Sequence, residues 1–141
     1  MKLINKNKNK YIIRLDNGEE FINSLQNFCE KENIKVGWIQ AIGSAQDINL
    51  AYFDANLKDY EIKEFKEFLE IVSITGNIAL KENKIFLHAH GLFSREDMSI
   101  IGGHIHRCVI SATCEIVLFI GEGEMKREFD DETGLYLLRV N

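Results

Sequence analysis

The pattern of apolar and polar residues predicts one amphipathic helix early in the chain. Over residues 18–32 the apolar side chains recur every three or four positions, which places them on one side of a helix. They are Phe21, Ile22, Leu25, Phe28 and Cys29. Asn33 follows as an end signal. Residues 11–15 predict a short strand before the helix, and an Asp-Asn-Gly turn ends that strand.

The remainder of the chain has the composition and periodicity of strands. Residues 36–54 form two extended runs that are divided near residues 43–47, and two more runs flank a Lys-Glu-Asn-Lys turn at residues 81–84. Residues 104–123 are a long run rich in β-branched residues, and residues 125–140 predict two short strands around a turn. Many strands with one early helix predict an α+β fold on a mostly antiparallel sheet.

Length, composition and charge narrow the class of protein. The chain has 141 residues, of which 45% are hydrophobic and 28% are charged, as in a single soluble globular domain. The formal net charge of -5 disfavours a domain that binds nucleic acid by charge alone. The basic cluster "KNKNK" at residues 6–10 contains no aromatic residue. We interpret residues 1–10 as a flexible tail and residues 11–141 as one domain.

The cysteines and the apolar runs bear on the cellular compartment. Cys29, Cys108 and Cys114 form no Cys-x-x-Cys pair, so neither a disulfide framework nor a four-cysteine zinc site is indicated. Reduced thiols are expected instead. No apolar run approaches the roughly 18 residues that span a bilayer, and the first residues do not resemble a signal peptide. We therefore expect a cytoplasmic protein that does not engage a membrane.

All four histidines lie within residues 86–110, as two His-x-His pairs. Alternate side chains of a strand share a face, so His88 and His90 lie side by side, about 7 Å apart at Cα. Two such imidazoles can share a metal ion, and His104, which follows two glycines, offers a third ligand. Three imidazoles with an open fourth position are typical of catalytic or substrate-binding zinc sites. Histidine pairs on strands also occur as surface polar residues, and the spacing leaves both interpretations open.

Two glutamates are further candidates for chemistry. Glu70 and Glu115 stand in otherwise apolar strand runs, where a buried carboxylate is costly unless it is paired. Arg127 is a candidate partner for one of them, in a structural ion pair at a subunit contact. The alternative is a glutamate beside the metal that orients a water molecule as a general base.

Several stretches of the chain resemble the plants-and-prokaryotes-conserved (PPC) domain, in order, over about residues 11–140. The longest is "RLDNGEEFINSLQNFCEKENIKVGWIQAIGSAQDINLAYFD", and "EFLEIVSITGNIAL" and "ATCEIVL" follow it. Prokaryotic members share a His-x-His, a Gly-Gly-His and a Thr-x-Glu. These motifs stand here as His88-Ala-His90, Gly102-Gly103-His104 and Thr113-Cys-Glu115.

The resemblance implies an α+β domain with about seven strands in a largely antiparallel sheet, assembling as a homotrimer. It also implies a metal, Zn²⁺ before other divalent ions, on His88, His90 and His104 near subunit boundaries. His106 lies outside the shared pattern, and we expect it at the surface or beside the ligands. Metal binding should weaken below about pH 6.5, the ordinary pKa of histidine.

Two departures from the family bear on its frequent description as DNA-binding. Plant members carry an AT-hook with an Arg-Gly-Arg-Pro core, and this sequence contains no proline. Their Gly-Arg-Phe-Glu-Ile stretch, implicated in partner recruitment, is replaced by Glu67-Phe68-Leu69-Glu70-Ile71. We expect a metal-binding domain whose open position takes a small ligand, with a catalytic role left open. The alternative is a DNA-associated regulatory protein without tight DNA binding of its own.

Overall fold

The computed structural model describes residues 1–140, which form nine strands and one helix. In chain order the elements are β1 (Lys2–Asn7), β2 (Lys10–Asp16), α1 (Phe21–Lys31), β3 (Gly37–Asp54), β4 (Asp59–Phe65), β5 (Leu69–Lys81), β6 (Lys84–Ser94), β7 (Ile100–Ile120), β8 (Lys126–Asp130) and β9 (Leu135–Leu138). All nine strands belong to one sheet, so the implied number of about seven strands is too low.

Four of the strands close into a ring of antiparallel pairs. β3 pairs with β5, β5 with β6, β6 with β7, and β7 with β3 again. β2 and then β1 extend the sheet from β7, and β4 pairs with the second half of β3. Within residues 1–140 the parallel pairing is confined to β5 and β8, over two residue pairs. The prediction of an α+β fold on a mostly antiparallel sheet is confirmed.

Strands β1 and β4 are the two that the residue pattern did not predict. Every residue of β1 is exposed, and most of β4 is exposed, so neither strand alternates between buried and exposed positions. β1 is held by its antiparallel pairing with β2, and Lys6 donates a hydrogen bond of 2.8 Å to the Glu32 carboxylate. The prediction of a flexible tail over residues 1–10 is therefore wrong. Backbone pairing with β2 orders β1, although β1 buries little side-chain surface.

Helix α1 buries the predicted apolar stripe. Its buried residues are Phe21, Leu25, Phe28 and Cys29. The carboxylate of Glu20 caps the helix by accepting hydrogen bonds from the backbone N–H groups of Ile22 and Asn23. Asn33, beyond the end of the helix, adopts a φ of 53°, as its role as an end signal requires. At 11 residues α1 is too short to cross a membrane, and residues 1–140 contain no other helix.

Strand β3 runs without interruption through the predicted break, but its pairing changes there. The register shifts between Ala41 and Gly43 against β5, and again between Gly43 and Asp47 against β7. Such bulges bend and twist a strand. The first half of β3 can therefore pair with β5, while the second half pairs with β4.

The pairing register decides which side chains share a face of the sheet. In β6, Leu87 and Ala89 are buried in the core, which leaves His88 and His90 on the opposite face. The three cysteines also lie in the core, and all of them are free thiols. Alternate side chains of β6 thus face the core and the opposite surface that carries His88 and His90.

Candidate metal centre

Three histidines meet where β6 pairs with β7. His90 lies directly opposite His104 in the antiparallel register, and His88 is two residues away from His90 on the same face. One nitrogen from each imidazole can be chosen so that all three lie within 4.8 Å of one another. The Nε2 atoms of His88 and His90 are 3.2 Å apart. The structure brings together the three residues that the sequence singled out as ligands.

A close approach of the two backbones makes this meeting possible. Gly102 lies opposite Leu92 in the β6–β7 pair, and a Cβ atom at Gly102 would lie 2.8 Å from the backbone oxygen of Gly91. Any other residue would push β7 away from β6. The glycine that precedes His104 by two positions therefore permits the strand contact that aligns His104 with His90.

Burial favours the neutral form of all three imidazoles. It lowers the pKa of His88 from 6.5 to about 4, and the positive charge of Arg127 acts in the same direction. Burial, followed by the neighbouring histidines, lowers the pKa of His104 to about 4. Partial burial also lowers the pKa of His90. Neutral imidazole is the form that binds a metal, so the cluster is ready for one at neutral pH.

The donor set fits a divalent metal ion. Nδ1 of His104 is buried and has no hydrogen-bond partner within the described residues, which is costly for a polar atom unless something binds it. Three imidazoles suit zinc, and also nickel and copper. No carboxylate or thiolate joins the three histidines in the part of the chain that the structure describes. The set therefore leaves at least one position of a tetrahedral ion open.

Arg127 controls the tautomer of His88. Its Nη2 atom lies 3.0 Å from Nδ1 of His88. A guanidinium can only donate, so Nδ1 of the neutral imidazole must accept and the ring proton must sit on Nε2. If a metal were bound through Nε2, the ring proton would sit on Nδ1, where it would face the N–H donor of Arg127. The hydrogen bond between Arg127 and His88 would therefore have to break or rearrange when a metal is bound.

A cavity of about 510 Å³ opens beside the cluster. The rings of His88 and His104 and the side chain of Arg127 are among its lining residues. His106 also lines it but is exposed, with its ring centroid 5.3 Å from that of His104. His106 is not one of the three clustered histidines. A small molecule in this cavity could reach both the histidines and the arginine.

The two candidate glutamates are not brought to the histidines. Glu70 and Glu115 are both exposed, and neither lines the cavity. Arg127 pairs with neither of them: its Nη1 donates to the backbone oxygen of Tyr136 and its Nη2 to Oδ1 of Asn77. No ion pair between Arg127 and either glutamate forms within one chain over residues 1–140, and the pair expected at a subunit contact stays a prediction. Within the chain, Arg127 contacts Tyr136, Asn77 and His88 instead.

Comparison with known proteins decides the family. The family model of the Plants and Prokaryotes Conserved (PCC) domain, the same family under another abbreviation, matches residues 4–121. The chain belongs to the PCC-domain family. Arg127 and the β8–β9 hairpin lie after the matched residues.

Solved structures of similar proteins agree with this membership. A candidate DNA-binding protein from Bacteroides thetaiotaomicron is 30% identical, with a TM-score of 0.93 over 96% of this chain and 94% of that one. A metal-containing protein from Archaeoglobus fulgidus is 32% identical, with a TM-score of 0.87 over 99% and 100%. A plant- and prokaryote-conserved protein from Pyrococcus horikoshii is 28% identical, with a TM-score of 0.87 over 95% and 93%. No curated protein matches the chain.

Proposed function

We propose that this PCC-domain protein binds one divalent metal ion, zinc before nickel or copper, through His88, His90 and His104. The observation that carries the proposal is the convergence of these imidazoles, with one nitrogen of each within 4.8 Å of the others. The unpartnered Nδ1 of His104 and the similarity to a metal-containing archaeal protein support it. A position left open by the three ligands would take water or a small molecule from the adjoining cavity.

Elemental analysis of the untagged protein tests this proposal. We expect one equivalent of metal per chain in the unaltered protein. His90→Ala should lose it, because two imidazoles alone hold zinc weakly. His106→Ala is the matched control and should keep its metal, since His106 lies outside the cluster. A His90→Ala variant that retains one equivalent would show that these histidines are not the site.

We also propose that the chain assembles as a homotrimer. An outer face on β2, β3 and β7 carries neighbouring apolar side chains, of which Trp38, Ile42 and Phe119 are exposed and Ile12 and Val117 are half-buried. Trp38 is 51% exposed, Ile42 55% and Phe119 48%, which is unusual for large side chains that have no partner. A cleft lined by Trp38, Phe119, His88 and His90 joins this outer face to the histidines. Assembly through the outer face would bring subunit boundaries close to the metal centre.

The second candidate function is a regulatory role in association with DNA. The similarity to a candidate DNA-binding protein from Bacteroides thetaiotaomicron is what favours it. The formal net charge of -5 gives little drive for direct binding, because affinity for duplex DNA comes largely from cations that neutralise phosphates. In this alternative another protein would make the DNA contact.

A further inference from the structure

We infer that the cavity beside the three histidines binds a small organic carboxylate, and that Arg127 holds its carboxylate group. The inference rests on the proposed metal function and deepens it by naming the class of molecule that occupies the open position. Charge, hydrogen-bonding capacity and the chemistry of the cavity walls each support it.

The cavity is positive although the chain is acidic. Lys58, Lys81 and Arg127 line it, against Asp59 as the one acid among the lining residues. Three positive charges and one negative charge leave +2, whereas the whole chain carries -5. The three clustered histidines are neutral ligands and cannot offset the charge of a divalent ion. A metal would make the cavity more positive still, so an anion is the ligand that it favours.

Arg127 is short of hydrogen-bond acceptors at this position. Its Nε–H group is buried and has no partner within the described residues. Its Nη2 donates to Asn77 and contacts Nδ1 of His88. If His88 binds a metal through Nε2, Nδ1 becomes a donor and this contact is lost. A carboxylate in the cavity would give the guanidinium new acceptors, so metal and carboxylate should strengthen each other's binding.

The walls of the cavity indicate a ligand with a carbon body. Its apolar side chains come from the helix, the sheet and the C-terminal hairpin: Ile22, Phe53, Phe86, Leu135 and Leu137. The Phe86 ring also lies under the guanidinium of Arg127, with the centroid 5.7 Å from its Cζ. Inorganic phosphate would satisfy the charge but leave these surfaces uncovered, while a short-chain carboxylate would contact both.

Calorimetric titration with butanoate and its neutral counterpart butanamide tests the inference, in zinc-loaded and metal-free protein. We expect butanoate to bind zinc-loaded protein at least about tenfold more tightly than butanamide, the size of one charge-assisted contact. Metal-free protein should bind butanoate more weakly. Equal affinities for butanoate and butanamide in both forms would overturn the inference, and so would phosphate binding as tightly as butanoate.

Arginine variants assign the contact to Arg127. Arg127→Gln should weaken butanoate binding about tenfold. Arg127→Lys should weaken it less, because lysine keeps the positive charge but lacks the paired N–H donors of a guanidinium. Arg139→Gln is the matched control, since Arg139 is exposed beyond β9 and is paired with Glu128. Arg127→Gln should keep its zinc, because a glutamine carbonyl can accept a proton from Nδ1 of His88. Equal butanoate affinities in Arg127→Gln and Arg139→Gln would contradict the assignment.

Zinc content separates the two proposals. If the unaltered protein takes up zinc but does not discriminate butanoate from butanamide, the carboxylate inference fails and the metal function stands. If it takes up no zinc, the metal function fails. Butanoate binding to the metal-free protein that depends on Arg127 would then still support the carboxylate site, and its absence would remove both.

Discussion

At the level of single residues, burial sets the protonation of the histidines. An imidazole withdrawn from water is less stable as a cation, and the pKa values of His88 and His104 fall to about 4 for this reason. Protons therefore compete with a metal for these nitrogens only at low pH. The expectation that binding weakens below about pH 6.5 used the ordinary pKa of histidine, and the lowered pKa values move the expected weakening to a lower pH.

Zinc should accordingly remain bound in mildly acidic solution. The depressed pKa values mean that the folded protein takes up few protons at these sites until the pH falls well below 6.5. The unfolded chain takes up protons from about pH 6.5 downward, so the free energy of unfolding also falls over this interval. Dialysis at a series of pH values followed by elemental analysis measures the retention. Loss of half the zinc at or above pH 6.5 would contradict the expected order.

At the level of elements, the site depends on how closely β5, β6 and β7 approach. The β5–β6 pair places Asn77 opposite His88 and Gly76 opposite Ala89. A Cβ atom at Gly76 would lie 2.4 Å from the backbone oxygen of His88. The glycine thus fixes the position of the backbone that carries His88, although it has no side chain of its own.

Gly76→Ala should destabilise the fold and disturb the metal centre together. The added methyl group cannot be accommodated without moving β6 away from β5, and such overpacking costs about 2 kcal/mol or more in the free energy of unfolding. Urea denaturation and zinc content are the two measurements. Val72→Ala, at an exposed position of the same strand, is the control and should change the free energy of unfolding by less than about 0.5 kcal/mol. An unchanged free energy of unfolding and an unchanged zinc content in Gly76→Ala would show that β5 and β6 accommodate the added methyl group without loss of stability.

At the level of the whole molecule, the exposed outer face and the charge distribution govern association. Apolar side chains on the outer face favour contact with another copy of the chain, while the acidic surface disfavours contact with nucleic acid. These two properties lead to separate predictions about oligomeric state and DNA affinity.

Light scattering should report a mass of three times 16.3 kDa for the unaltered protein. Trp38→Glu should shift this mass towards that of one chain, because a carboxylate at the centre of an apolar contact would be buried without a partner. Leu57→Glu is the control, since Leu57 lies in the β3–β4 turn and is 77% exposed. A monomeric unaltered protein at micromolar concentration, or a trimeric Trp38→Glu variant, would rule out assembly through this face.

Duplex DNA should bind weakly and without sequence preference. The formal net charge of -5 leaves few uncompensated cations to neutralise phosphates, so few counterions would be released on binding. Fluorescence anisotropy at physiological salt should give no Kd near the roughly 10⁻⁸ M or tighter that specific DNA-binding proteins reach. A Kd in that range would restore direct DNA recognition as the function.

The residues by themselves determined the features that depend on short spacings. The apolar period predicted α1, and the alternation of β6 placed His88 and His90 on one face. Asn33 was recognised as an end signal and Lys-Glu-Asn-Lys as a hairpin turn, and Asn33, Glu82 and Asn83 adopt left-handed conformations in the structure. These properties follow from local geometry, which a short stretch of sequence determines.

Tertiary structure alone decided what depends on strand register. His104 lies opposite His90 because β7 pairs with β6. Arg127 reaches His88 because β8 pairs in parallel with β5, and this pairing places Leu80 beside Lys126, which is 46 positions later in the chain. β1 and β4 are ordered by backbone pairing and bury few side chains, so the apolar residues in their sequences do not mark a buried face. Pairing between distant segments is selected by the packing of the entire sheet, and no short stretch of sequence contains that information.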